Sequence, residues 1–127
     1  MARDCSEQPL EGLDIVDCRL DLLSTAIQDE SPTDFGGPRQ AHGLVKRIAS
    51  ARKLVDAAKA HADVPKKMRT KLRLSMRQLR TLSRSLQKTI KSGKTPPSIG
   101  TYLSDRIKEA LAELEIQVAA TATRTPR

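Results

Sequence analysis

Apolar side chains in this sequence recur every three or four residues along four segments, which prolines and glycines separate. The first segment shows the spacing most clearly, with Leu13, Val16, Leu20, Leu23 and Ile27. Because an α-helix turns once in about 3.6 residues, side chains at this spacing form one stripe on a helix, whereas a strand would alternate every second residue. The sequence therefore predicts an all-α protein.

Turn-forming residues mark the ends of the predicted helices. Residues 31–38 contain two prolines and two glycines, which predicts a loop after the first helix. The second helix is predicted over residues 40–62 and the third over residues 65–92, with Asp63 as the cap of the third. A pair of prolines ends the third helix, and a fourth helix begins near Ser98.

The apolar content is low for a self-contained core. Hydrophobic residues make up 38% of the 127 residues, and Phe35 and Tyr102 are the only aromatic ones. We therefore expect a hairpin of the second and third helices, with an extra N-terminal helix and a short C-terminal helix. Two copies are expected to dimerise through the Leu and Ala seams of the second and third helices, which gives an antiparallel four-helix bundle. The expected organisation is an acidic helix and hinge in residues 1–38, a basic domain in residues 39–120 and a frayed tail in residues 121–127.

Charge is distributed unevenly along the chain. Residues 1–34 contain two basic and nine acidic side chains, whereas residues 64–104 contain eleven basic side chains and no acidic one. Because the second stretch cannot neutralise itself locally, its charge is available to an external polyanion.

The third predicted helix carries a row of cations beside its apolar stripe. These residues recur every three or four positions and are Arg69, Arg73, Arg77, Arg80, Arg84, Lys88 and Lys91. Like charges at this spacing repel one another, whereas phosphates favour them because binding releases counterions. Two other interpretations remain open: a solvated helix face, or a face that pairs with Asp14, Asp17 and Asp21 of the first helix.

Other classes of function have little support in the sequence. There is no phosphate-binding glycine loop, no zinc spacing and no catalytic triad pattern, so we expect no enzyme activity, no metal and no cofactor. Cys5 and Cys18 are interpreted as reduced intracellular thiols. No segment is long and apolar enough to predict a membrane span. The shortage of aromatic residues argues against single-strand binding by base stacking, and Phe35 is expected to anchor its loop to the bundle.

The stretch from Asp63 to Leu103 resembles the small RNA-silencing suppressor of nodaviruses, the B protein made from their subgenomic RNA. The resemblance covers roughly half of the chain, over residues 40–103, and its most specific parts are the Asp-x-Pro start and the Pro-Ser-x-x-x-Tyr-Leu exit of the third helix. The shared positions are Asp63, Pro65, Met68, Arg69, Leu72, Leu79, Leu86, Lys88, Ile90, Ser92, Pro97, Ser98, Ile99, Tyr102 and Leu103.

The resemblance implies a helical homodimer that binds double-stranded RNA without sequence specificity, shields viral duplex RNA and sequesters small interfering RNA in the host cytoplasm. Lys88 occupies the position of a main RNA-contacting arginine of that family. Ser85 and Gln78 fall on the family's contact face, whereas Thr70 and Thr81 replace basic residues there.

Two alternatives to this interpretation stay open. The first is a helical protein-interaction module in which the first and third helices neutralise each other. The second is a protein that binds duplex DNA. The resemblance does not explain the acidic N-terminal helix, which could recruit a viral replication protein or a host silencing protein.

Overall fold

In a computed structural model, which describes Cys5 and residues 12–123, the chain forms four long helices and no strand within the described part. The helices are α1 (Leu13–Asp29), α2 (Pro38–Ala60), α3 (Pro65–Lys91) and α4 (Pro97–Thr123). A short 3-10 helix, Pro32–Phe35, connects α1 to α2. The predicted all-α class is confirmed.

Proline begins three of the four helices, namely Pro38 of α2, Pro65 of α3 and Pro97 of α4. This residue suits the first turn because its missing N–H would have no partner inside the helix. The predicted cap of α3 is wrong, since Val64 and not Asp63 occupies the N-cap position and makes no side-chain cap bond.

The helices form a closed ring in which each packs against its neighbours in sequence and α4 packs against α1. Side-chain contacts show that neighbours are antiparallel: Arg69 near the start of α3 donates to Thr121 near the end of α4. Ser75 of α3 likewise donates to the carbonyl oxygen of Ala51 in α2, at 3.0 Å. The fold is therefore an up-down-up-down bundle made by one chain.

The short C-terminal helix of the prediction is wrong, because α4 has 27 residues, as many as α3. It continues to Thr123, so residues 121–123 belong to the helix, and residues 124–127 of the predicted tail lie outside the described part. Thr121 is buried and its hydroxyl donates to the carbonyl oxygen of Val118. The fourth helix completes the bundle and is not an appendage of the hairpin.

The apolar stripes of all four helices meet in one core. The stripe of α1 is buried together with Ile48 and Val55 of α2, Leu79 of α3 and Leu114 of α4. The seams of α2 and α3, which were expected to pair with a second copy, are thus covered by α1 and α4 of the same chain. A homodimer remains a prediction, and in this conformation it would need a different surface.

The loop between α1 and α2 is fastened to the end of α3. Phe35 is fully buried in the core, as expected of a residue that anchors the loop. Thr95, which follows α3, donates its hydroxyl to the carbonyl oxygen of Asp34, and its hydroxyl oxygen lies 2.8 Å from that of Thr89. These contacts hold the α1–α2 and α3–α4 connections together at one end of the bundle.

The two cysteines form a disulfide, which corrects the expectation of two reduced thiols. The bond joins Cys5 to Cys18 on α1, with 5.9 Å between the two Cα atoms, and Cys5 is buried. Sequence reasoning missed it because two cysteines 13 residues apart carry no pairing signal until the fold brings them together. A cross-link of this kind stabilises a fold by about 2–4 kcal/mol, because it restricts the unfolded chain.

Two helical glycines predict opposite effects of the same substitution. A methyl group at Gly43 would meet nothing within 4 Å, so Gly43→Ala should raise the free energy of unfolding by about 0.5–1 kcal/mol. A methyl group at Gly100 would lie 2.6 Å from the side chain of Ile90, so Gly100→Ala should lower it by about 1–3 kcal/mol.

Urea denaturation of both variants measures the two effects. The additional substitution Ile90→Val, which shortens the obstructing side chain, should recover part of the loss at Gly100. Equal effects at the two positions would contradict the close approach of α3 and α4.

Candidate nucleic-acid interface

The predicted cations of α3 lie on one side of the helix, beside its buried stripe. We call this set the α3 row: Arg69, Arg73, Arg77, Arg80, Arg84, Lys88 and Lys91. On a helix with 3.6 residues per turn, the seven positions share an arc of about 100°. Six of them are exposed and Arg69 is half-buried. The alignment expected from the sequence is therefore present in the folded chain.

Ser85, the eighth predicted site residue, lies outside the α3 row. It is half-buried and stands seven residues after Gln78, on the flank of α3 that packs against α2. Gln78 accepts a hydrogen bond from Arg47 of α2, 3.0 Å between Nη1 and Oε1. The hydroxyls of Thr70 and Thr81 donate to carbonyl oxygens one turn earlier in α3. Of these polar residues, Gln78 links α3 to α2, whereas Thr70 and Thr81 bond within their own helix.

The carboxylates of α1 pair with α2 and not with α3. Arg52 donates to Asp17 at 2.9 Å and to Asp21 at 3.1 Å, and the Nζ of Lys59 lies 2.9 Å from Asp14. The hydrogen bond to Asp17 raises the pKa of Arg52, and the hydrogen bond to Asp14 raises the pKa of Lys59. Helix α1 therefore pairs with Arg52 and Lys59 of α2, and the contact that would have occupied the α3 row is not formed among the described residues.

Most of the α3 row has no partner for its charge. Within the described ranges, the side chains of Arg73, Arg77, Lys88 and Lys91 make no hydrogen bond or ion pair. The nearest carboxylate to the row is Glu115 of α4, whose Oε1 lies 4.0 Å from Nη2 of Arg80. Both of these side chains are more than half exposed, so their attraction is weak in water.

A groove of about 370 Å³ runs between α3 and α4 beside the α3 row. The four arginines from Arg73 to Arg84 line it together with Met76, Val118 and Glu115. Guanidinium groups hold several donors in a plane and match phosphate oxygens, so this edge of α3 suits a phosphate chain. Glu115 was absent from the sequence prediction, because nothing local shows that this part of α4 lies beside Arg80.

Aromatic side chains offer no platform for base stacking in the described structure. Phe35 is fully buried, and Tyr102 is 48% exposed. The guanidinium carbon of Arg106 lies 4.9 Å from the centre of the Tyr102 ring, which covers one of its faces. Binding of single strands usually stacks successive bases on several rings, so this surface does not favour that mode.

No protein-family model, curated protein or solved structure matches this chain. Among the described residues, none of the helices combines the length and the apolar character needed to cross a membrane. The assignment of a function therefore depends on the geometry and charge of the α3 row, and the resemblance to nodavirus suppressors stays a prediction.

The position of Glu115 predicts that it weakens phosphate binding at the neighbouring arginines. Glu115→Gln removes the only carboxylate beside the row in the described structure, so we expect duplex affinity to rise about two- to fivefold at low salt. The gain should shrink at high salt, because screening weakens the repulsion that the substitution removes. Equilibrium titrations at two salt concentrations measure this. A decrease in affinity would mean that Glu115 positions Arg80 for binding.

Proposed function

We propose that this protein binds double-stranded RNA without sequence specificity, through phosphate and 2′-hydroxyl contacts of the α3 row. Its biological consequence would be suppression of RNA silencing in the host cytoplasm, by shielding viral duplex RNA and sequestering small interfering RNA. The observation that carries the proposal is the alignment of seven cations on one exposed side of α3, most of them without a partner among the described residues.

The dimensions of α3 support a duplex as the ligand. With 27 residues, the helix is about 40 Å long, a straight and regular surface. Recognition of duplex RNA depends mostly on shape, phosphates and 2′-hydroxyls over a site of about 16 base pairs. A rod of arginines without an aromatic platform fits this mode better than base stacking.

The choice of RNA over DNA is supported by the resemblance of the Asp63–Leu103 stretch to nodavirus suppressors. Lys88 takes the place of a main contact residue of that family. It is exposed and lies between Arg84 and Lys91 in the α3 row. Duplex DNA carries the same backbone charge, and a DNA-binding protein is the alternative that the experiment below distinguishes.

A protein-interaction module based on pairing between α1 and α3 has less support, because α1 pairs with α2.

The ion pairs between α1 and α2 also limit how the acidic helix could recruit a replication or silencing protein. Asp14 and Asp17 already bind cations of α2, whereas Asp29 is exposed. Such recruitment stays a prediction.

Competition binding tests the proposed function. A labelled RNA duplex of about 20 base pairs is displaced by unlabelled duplex RNA of unrelated sequence, duplex DNA or single-stranded RNA of equal length. We expect the two RNA duplexes to compete equally and both other nucleic acids to compete at least about tenfold less well. Equal competition by duplex DNA would favour the DNA-binding alternative, and no binding of any duplex would overturn the proposal.

A further inference from the structure

The six cations of α2 fall into groups with different roles in the fold. Arg52 and Lys59 bind carboxylates of α1, and Arg47 donates to Gln78 of α3. The other three are exposed, and within the described residues their side chains have no hydrogen bond or ion pair: Arg39, Lys46 and Lys53. We call these three the α2 row. Nothing in the packing of the bundle accounts for them.

The members of the α2 row are seven residues apart. Seven residues make nearly two full turns, so the three side chains lie on the same side of α2, with steps of about 10.5 Å along its axis. Asp56 is the only acidic residue of α2, and its charge acts on Arg52 and Lys59, on the side that faces α1. Asp56 stands one turn after Lys53, but no ion pair in the described structure joins it to a member of the α2 row.

Helices α2 and α3 are close neighbours. Ala51 and Ser75 are fully buried at their contact, where the serine hydroxyl donates to the alanine carbonyl oxygen. Helices in such contact have axes about 8–10 Å apart, so the α2 row and the α3 row lie on adjacent helices of the same bundle. Arg47 lies between them and adds a further positive charge.

The flank of α3 that faces α4 and the flank that faces α2 differ in whether a carboxylate lies beside the cations. On the α4 side, Glu115 lies beside the arginines. On the α2 side, α3 contributes no carboxylate, and the one in α2, Asp56, makes no ion pair with α3 in the part of the chain that the structure describes. A polyanion that lies along α3 therefore meets attraction from α2 and some repulsion from α4. Gly43, which is exposed on α2 with open space around it, adds no side chain that would obstruct the approach.

We propose that the α2 row is a second line of phosphate contacts for the same duplex, so that the binding surface spans α2 and α3. This inference rests on the proposed function and adds Arg39, Lys46 and Lys53 to the binding residues. One line of cations can follow a single phosphate strand, whereas two lines on adjacent helices can engage phosphates of both strands of a duplex. The α2 row would thereby contribute to the preference for duplexes over single strands.

The test compares two double variants that change the net charge equally. The first is Lys46→Gln with Lys53→Gln, in the α2 row. The control is Lys94→Gln with Lys108→Gln, on the α3–α4 connection and on α4, where both side chains are exposed. Affinity for an RNA duplex of about 20 base pairs is measured over a range of salt concentrations, because the slope of log K against log salt reports the number of phosphates neutralised.

We expect the α2-row variant to lose affinity on the order of tenfold and to reduce the salt slope by about 2, while the control keeps the wild-type slope. A loss in the control equal to or greater than that in the α2-row variant would overturn the inference. Unchanged binding by the α2-row variant would also overturn it and leave the proposed function standing. If the wild-type protein binds no duplex, both proposals fail.

Discussion

Replacing Arg77, Arg84 and Lys88 together with glutamine is expected to weaken binding of duplex RNA on the order of 100-fold at physiological salt. The three side chains are exposed on the same side of α3, and none of them binds a carboxylate in the described structure. Their loss removes three phosphate contacts, so the slope of log K against log salt should fall by about 3. Fluorescence anisotropy at several salt concentrations measures both quantities.

A charge-conserving variant separates the electrostatic contribution from the shape of the side chains. Arg77→Lys with Arg84→Lys keeps the charge and should retain the salt slope, with a smaller loss of affinity from the missing guanidinium donors. Both variants should unfold at the wild-type urea concentration, because the side chains are exposed. A loss that depends on the RNA sequence, or an unchanged salt slope in the glutamine variant, would contradict a phosphate-binding role of the α3 row.

Removal of residues 1–34 is expected to abolish cooperative folding of the remaining chain as a monomer. The deletion takes away the buried side chains Leu13, Val16, Leu20, Leu23 and Ile27. Burial of five such side chains contributes on the order of 10 kcal/mol, which is comparable to the whole stability of a typical domain. Circular dichroism and urea denaturation of the shortened chain should show reduced helix content and no cooperative transition.

The expected loss comes from the core and not from the ion pairs of α1. Asp14→Asn with Asp17→Asn removes the pairs to Lys59 and Arg52, which are partly exposed, and should cost less than about 2 kcal/mol together. A shortened chain that unfolds cooperatively and has twice its monomer mass would contradict the intramolecular bundle. It would indicate that the seams of α2 and α3 pair between two copies, as the sequence analysis expected.

The number of helices, and the extent of the second and third, could be predicted from local sequence alone. The third helix was expected over residues 65–92 and is observed over Pro65–Lys91, and the second was expected over residues 40–62 and is observed over Pro38–Ala60. Apolar spacing and proline positions act within a few turns, so their effect does not depend on the rest of the chain. The fourth helix was underestimated at its C-terminal end, where small residues and threonines carry little periodic signal.

The alignment of the α3 row could also be predicted from local sequence, because any helix over these residues places cations at three- and four-residue spacing on the same side. Whether those cations are free depends on distant residues. The acidic α1 packs so that its carboxylates reach Arg52 and Lys59, more than thirty residues further along the chain, and leave α3 unpaired. No local pattern distinguishes this arrangement from one in which α1 pairs with α3.

Sequence by itself determined that this chain is helical, where its turns fall and which side of α3 is positively charged, since each depends on neighbouring residues. Only the tertiary structure decided that four helices of one chain close the bundle, that Cys5 meets Cys18 and that Glu115 lies beside Arg80. These outcomes depend on how the four complete helices pack around a common core. The packing arrangement is selected because it buries all four apolar stripes at once, and the spacing of residues within one helix carries no information about it.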